Sequence, residues 1–275
     1  MTRIALFQMT SGIDPAQNAL AISAAIAQAA AGGAAMLFTP EMSNLIDRDR
    51  ARAAASILGE QDDPVLAAAR AGAAAHGIWV HLGSIALHGG DGKFANRAFV
   101  IDSTGAIRAR YDKLHLFDVD LPTGESWRES AAYTAGEGAA VVNTPIGAMG
   151  LSICYDLRFA DLYRALSNAG ATVLTVPAAF TRPTGQAHWH ILLRARAIEA
   201  GAFLIAAAQT GEHEDGRATY GHSLVIDPWG DVLLDMGEAP GIGFADINPA
   251  RVGDVRSRVP VIAHRRAIPE VAVIT

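Results

Sequence analysis

Two stretches far apart in the chain carry the same device. Val100-Ile-Asp-Ser-Thr-Gly105 and Val225-Ile-Asp-Pro-Trp-Gly230 each place an Asp-x-x-Gly turn after an apolar strand. Ahead of each turn, strand-like and helix-like runs alternate. In the first half, residues 3–8 read as a strand. Asp14-Pro15 then supplies an N-cap and a first-turn proline, and Gly32 stops the alanine-rich helix. Residues 35–38 form a short buried strand, and Asp63-Pro64 opens a helix that closes near Gly77. Residues 78–87 and 94–111 are strand-rich, separated by the turn cluster Gly89-Gly90-Asp91-Gly92; its Gly92-Lys93 lacks the spacing of a phosphate loop. In the second half, residues 149–154, 172–176 and 203–208 read as strands. Residues 160–169 and 186–200 read as helices, and 222–234 as a hairpin. This alternation, closed by a hairpin in each half, predicts an α/β fold of two mixed sheets flanked by helices.

At 275 residues the chain can bury a sizeable core, and no linker, low-complexity tract or charge block divides it. A single domain over residues 1–275 is expected, with the proline-bounded segment 259–275 as an arm at a subunit interface. Hydrophobic residues at 51% against 18% charged exclude a disordered chain. The net charge of −6 argues against a nucleic-acid partner and against an anionic membrane surface. No apolar stretch reaches membrane-spanning length, and the N-terminus lacks the apolar region and cleavage site of a signal peptide. With a lone cysteine as well, a cytoplasmic location is expected.

That cysteine, Cys154, lies where an apolar strand-like run gives way to a helix-like one, in Gly150-Leu-Ser-Ile-Cys-Tyr-Asp-Leu-Arg158. It is either a small buried hydrophobe or a nucleophile. A nucleophilic thiol needs a base, an oxyanion partner and a proton donor for the leaving amine. Glu41 and Lys113 stand at two other strand-to-loop junctions. Taken alone, each also reads as an ordinary solvated charge.

Four segments together carry a resemblance to a known family: Thr39-Pro-Glu-Met42, Tyr111-Asp-Lys-Leu-His-Leu-Phe117, Gly150-Leu-Ser-Ile-Cys-Tyr-Asp-Leu-Arg-Phe159, and Gly221-His-Ser223 with Asp227-Pro-Trp-Gly230. In this order they resemble the nitrilase (carbon–nitrogen hydrolase) superfamily over almost the whole chain. The resemblance implies a four-layer α-β-β-α sandwich, a homodimer or higher oligomer, and a Glu41–Lys113–Cys154 triad working through a thioester. It places the backbone N–H of Tyr155 at the oxyanion. It also implies a second glutamate, Glu129 in Trp127-Arg-Glu-Ser130, that positions Lys113 or the substrate; the competing reading of Glu129 is a helix-terminus charge.

Within the superfamily, Pro177-Ala-Ala-Phe-Thr-Arg-Pro-Thr-Gly-Gln-Ala-His-Trp-His190 and Ala206-Ala-Ala-Gln-Thr-Gly-Glu-His213 look like the Nit branch, and more like its deaminated-glutathione amidases than its ω-amidases. The implied substrate is a small carboxylate-bearing 2-oxo amide, cleaved with water. Arg158 is expected to form a bidentate pair with the carboxylate, and Phe180 and Thr184 to contact the substrate. One departure is Ala160, where many relatives have proline. An ω-amidase, an N-carbamoyl amino-acid hydrolase and a silent scaffold of the same fold are the alternatives. No cofactor or metal is expected: His188 and His190 stand two apart on a helix and do not share a face.

Overall fold

The computed structural model describes residues 1–90, 92–120, 124 and 126–274, so Asp91 of the turn cluster and Thr275 at the end of the arm lie outside the described residues. Its first half runs β1 (Thr2–Gln8), α1 (Pro15–Ala31), β2 (Met36–Phe38), α2 (Arg50–Ser56), α3 (Pro64–His76), β3 (Trp79–His88), β4 (Phe94–Ile101) and β5 (Ile107–Asp112). Two short strands, β6 (Asp118–Asp120) and β7 (Ser126–Arg128), pair antiparallel and lead into the second half. There follow β8 (Val141–Thr144), β9 (Gly147–Gly150), α4 (Ala160–Asn168), β10 (Val173–Thr175), α5 (Arg182–Ala200) and β11 (Phe203–Ala206). A small hairpin of β12 (Thr210–Glu212) and β13 (Ala218–Tyr220) precedes β14 (Leu224–Ile226), β15 (Val232–Asp235), β16 (Gly241–Ile247) and α6 (Ala250–Arg258).

The strands form two six-stranded mixed sheets, ordered β16-β1-β2-β3-β4-β5 and β15-β14-β11-β10-β9-β8. Each has three parallel strands at its centre and antiparallel strands outside them. Alternation along the strands decides the layers. In β1, Ile4 and Leu6 face the core between the sheets, whereas Ala5 packs under α1 and α3 with Ile22, Ile26, Leu66 and Ala69. In β2, Met36 and Phe38 face inward and Leu37 outward. On the far side, α4 and α5 cover the second sheet through Leu162, Leu166, Trp189 and Leu193. The result is the expected α-β-β-α sandwich, with the core strands β2, β10 and β11 buried on both faces.

The repeated turns prove structurally equivalent. Asp102 Oδ1 accepts from the N–H groups of Thr104 and Ala106, and Asp227 Oδ1 from those of Trp229 and Asp231. Gly105 and Gly230 close them at φ +80° and +95°, which glycine alone adopts without strain. These turns join β4 to β5 and β14 to β15, the matching edges of the two sheets.

Helices α1 and α3 start at the expected caps, Asp14 and Asp63. The strand expected over 149–154 ends earlier, at Gly150: Cys154 N–H bonds the carbonyl of Pro177, and Cys154 itself takes φ +47°, which breaks any ladder. Helix α5 begins at Arg182, four residues before the expected start, because Pro183 suits its first turn. The segment after α6 has no regular secondary structure over 265–274, and Arg265 ties it to Arg164 and Asn168 of α4. Among the described residues no helix is long and apolar enough to cross a membrane.

Candidate active site

Three loops leaving the sheets meet at one point. Glu41 follows β2, Lys113 follows β5, and Cys154 opens a single 3-10 turn, Cys154–Arg158, beyond β9. All three are buried. Lys113 Nζ donates to Glu41 Oε1 at 2.9 Å and to Glu129 Oε2 at 2.9 Å. Glu129 follows β7 directly and also accepts from the backbone N–H of Phe117 at 2.6 Å. The other oxygen of Glu41, Oε2, accepts from the N–H of Ala179 at 2.9 Å. The Cys154 thiol faces Glu41 across the same buried pocket, close enough for each to shift the other's pKa. Glu129, Glu41 and Cys154 thus surround one ammonium, and each carboxylate is fixed by a backbone donor.

Packing forces this placement. A Cβ on Gly83 would lie 2.0 Å from the carbonyl of Thr39 and 2.6 Å from that of Pro40, so only glycine lets β3 pass under the loop that presents Glu41. Past Cys154, the buried Asp156 accepts from Ile153 N–H, from the Tyr111 hydroxyl and from the backbone N–H of His115. One carboxylate therefore clamps the cysteine turn to the strand end that carries Lys113. Met42 (φ +57°) and Cys154 both hold left-handed backbones, strain that this packing sustains.

The charges settle the resting state. Burial raises the Glu41 pKa, yet the Lys113 charge and its hydrogen bonds to Lys113 and Cys154 win and hold it below the ordinary carboxylate value. Burial lowers that of Lys113, but Glu129 and Glu41 outweigh it and hold it well above its usual value. Burial and then the Glu41 charge push the Cys154 thiol well above its ordinary value, with Lys113 opposing only in part. At neutral pH the site rests as carboxylate, ammonium and neutral thiol.

A cavity of about 430 Å³ opens above these groups, within the size range of small-molecule sites. Glu41, Lys113, Cys154, Glu129, Tyr155, Phe180 and Thr184 all line it, as sequence reasoning expects of seven of its eight candidates. The eighth, Arg158, is not itself among the lining residues. Its guanidinium packs over the rings of Phe180 (5.4 Å) and Tyr155 (6.0 Å), two residues that do line the cavity, and meets His188 Nδ1. The cations that do line the cavity, besides Lys113, are Arg48, Arg50, Arg128 and Arg217.

Sequence reasoning missed Asn96, which donates to Glu41 Oε1 at 2.9 Å and to Glu129 Oε1 at 3.3 Å. Its signal was a lone amide inside an apolar strand, a setting that depletes Asn. Asp156, Trp127, Tyr133 and Arg217 were missed as well. Away from the cavity, His190, His222 and Asp235 bring ligand atoms within 4.8 Å of one another, the arrangement among the described residues able to hold a metal. Asp235 bonds both imidazoles, while His188 turns the other way, to Arg158.

Residues 3–257 match the carbon-nitrogen hydrolase family. A deaminated glutathione amidase of Synechocystis sp. is 52% identical over 176 residues, 63% of this chain and 65% of that protein. The deaminated glutathione amidase of Bos taurus is 40% identical over 271 residues, 96% of this chain and 81% of that protein. Among solved structures, the NitFhit protein of C. elegans superposes with a TM-score of 0.89 at 39% identity, over 96% of this chain and 65% of that one. The match thus spans a little under two thirds of two of these three relatives.

Proposed function

The chain belongs to the carbon–nitrogen hydrolase family, and from that premise we propose that it is a thiol-dependent amidase with Cys154 as nucleophile and deaminated glutathione as substrate. The observation that carries the reaction class is the buried Glu41–Lys113–Glu129 cluster against the Cys154 thiol. The substrate assignment draws on the activity named for the Synechocystis and Bos taurus relatives.

Glu41 takes the thiol proton as sulfur attacks the amide carbon, and the carbonyl electrons move to oxygen. The ammonium of Lys113 and the backbone N–H of Tyr155 hold the oxyanion. As the tetrahedral centre collapses, the C–N bond breaks and Glu41 returns its proton to the leaving amine, here cysteinylglycine. A water then enters. Glu41 removes one of its protons, the resulting hydroxyl attacks the thioester, and the thiolate leaves as the 2-oxoglutarate carboxyl forms. Glu41 returns its proton to the departing thiolate, which restores both carboxylate and thiol, and the product carboxyl releases the other proton to solvent. These steps use only side chains, one backbone donor and water. Glu129 and Asn96 keep Lys113 and Glu41 aimed, so they act as positioning residues. Phe180 and Thr184 contact the substrate, and Arg158, packed over Phe180 and Tyr155, pairs with a substrate carboxylate. The exposed apolar tail with Ile268, Val271 and Val273 supports a homodimer or higher oligomer in which residues 259–275 pack on a partner, and the cytoplasm is the proposed location.

Purified protein incubated with deaminated glutathione should release 2-oxoglutarate, and Cys154→Ala should abolish release while the protein stays folded. Rapid turnover of 2-oxoglutaramate with none of deaminated glutathione would move the assignment to an ω-amidase. Turnover that survives Cys154→Ala would place the chemistry at another residue, and a wild type that hydrolyses none of these amides would leave a silent scaffold of the same fold.

A further inference from the structure

We propose that Arg217, stacked on Trp127 and flanked by Arg48, forms a subsite that grips a carboxylate of the substrate away from the scissile bond. The inference rests on the amidase reading and names the part of the cavity that selects its substrate. The Arg217 guanidinium lies 4.8 Å from the centre of the Trp127 ring, which fixes its plane. Its Nη2 donates to Asp215 at 3.1 Å, and Arg48 approaches the same oxygen at 3.9 Å. The Asp215 side chain is fully buried, so one carboxylate anchors two arginines. Both arginines line the cavity that holds Cys154.

Two further observations point to a ligand. Arg217 Nε and Trp127 Nε1 are both buried with no hydrogen-bond partner among the described residues. A buried donor left unsatisfied is costly, and such donors normally meet a ligand or an ordered water. The charge balance agrees. Lys113 is matched by Glu41 and Glu129, and Asp47, the remaining acid of the wall, is taken by Arg52 at 2.6 Å. Arg128 is matched by Asp120 outside the wall. Among the described residues, Arg48 and Arg217 share one anion between them and Arg50 meets only the carbonyl of Arg128, so the outer cavity holds a surplus of positive charge. A guanidinium held flat with free N–H groups suits a planar carboxylate.

Deaminated glutathione offers two carboxylates, at its 2-oxo acid end and its glycine end. The test compares wild type with Arg217→Gln, and with Arg217→Lys, which keeps a charge beside Asp215 and hence the fold. The substrates are deaminated glutathione, its glycine-end carboxamide, and a neutral aliphatic amide. Loss of a charged hydrogen bond predicts a fall of about tenfold to a hundredfold in kcat/KM on deaminated glutathione for Arg217→Gln, carried by KM, with less than about threefold on the neutral amide. A carboxamide spared by the substitution identifies the glycine end, and one that falls with its parent identifies the 2-oxo acid end. Equal falls on charged and neutral substrates, or no fall on either, overturn the subsite. Should the wild type leave deaminated glutathione intact, the substrate assignment fails separately, and calorimetric binding of 2-oxoglutarate and of cysteinylglycine replaces rates. Binding undiminished in Arg217→Gln, or absent from the wild type, then overturns the subsite.

Discussion

Replacing Glu41 with Gln should separate two effects that one carboxylate exerts on Cys154. The thiol sits well above its ordinary pKa, with burial the largest cause and the Glu41 charge the next. Two unit charges in contact, in an effective dielectric of about 20, interact by about 4 kcal/mol, which bounds the effect of removing one. Glu41→Gln keeps the shape and removes that charge, while Lys113 remains to favour the thiolate. The thiolate fraction at neutral pH should then rise by up to about a thousandfold. A thiolate of lower pKa is a weaker nucleophile, with a Brønsted slope of about 0.5, so alkylation by iodoacetamide should accelerate by about thirtyfold. Amide hydrolysis should move the other way. It needs a proton delivered to the leaving amine, which Gln cannot supply, so kcat should fall by about 10² to 10⁴. Intact-mass alkylation rates and hydrolysis rates, measured on the same preparations, decide the matter. Alkylation that slows together with hydrolysis would refute the claim that Glu41 holds the thiol neutral.

Three further outcomes follow from the same geometry. Because the Glu41 pKa is depressed, its ionised form is favoured in the folded site, that stabilisation is complete above about 4.5, and it is lost only as pH falls through the depressed value. The kcat/KM profile should therefore stay level down to about pH 5, and an acid limb centred above that pH would contradict the assignment. Asp156→Ala should cost about 2–4 kcal/mol in denaturant unfolding, since it strands the Ile153 N–H and the Tyr111 hydroxyl in the core; a loss under about 1 kcal/mol would show that the clamp is dispensable. Arg158→Ala should lower kcat/KM on carboxylate-bearing amides far more than on neutral ones, and equal losses on both would refute its pairing with the carboxylate.

Chain-local signals were the legible ones. Asp102 and Asp227 announced matching hairpins because an Asp-x-x-Gly turn is encoded within six residues. Asp14-Pro15 and Asp63-Pro64 fixed the starts of α1 and α3 for the same reason. Glu41, Lys113 and Cys154 each stand at a strand-to-loop junction, and the resemblance joined them. What spacing does not record is direction in space: Arg158 follows Cys154 by four residues, and one 3-10 turn brings its guanidinium over the Phe180 ring. Helix α2 buries none of its residues, so it carries no apolar period to read. Asn96 and Arg217 act across 55 residues and across the cavity, contacts that only the folded sheets create.

The covalent role of Cys154 is the centre of the account, and rapid-quench mass spectrometry of the protein during turnover of deaminated glutathione tests it most directly. A 2-oxoglutaryl adduct on the peptide containing Cys154, formed before steady state and absent from Cys154→Ala, is the predicted result. Turnover with no adduct at that peptide, or an adduct on another residue, would contradict it.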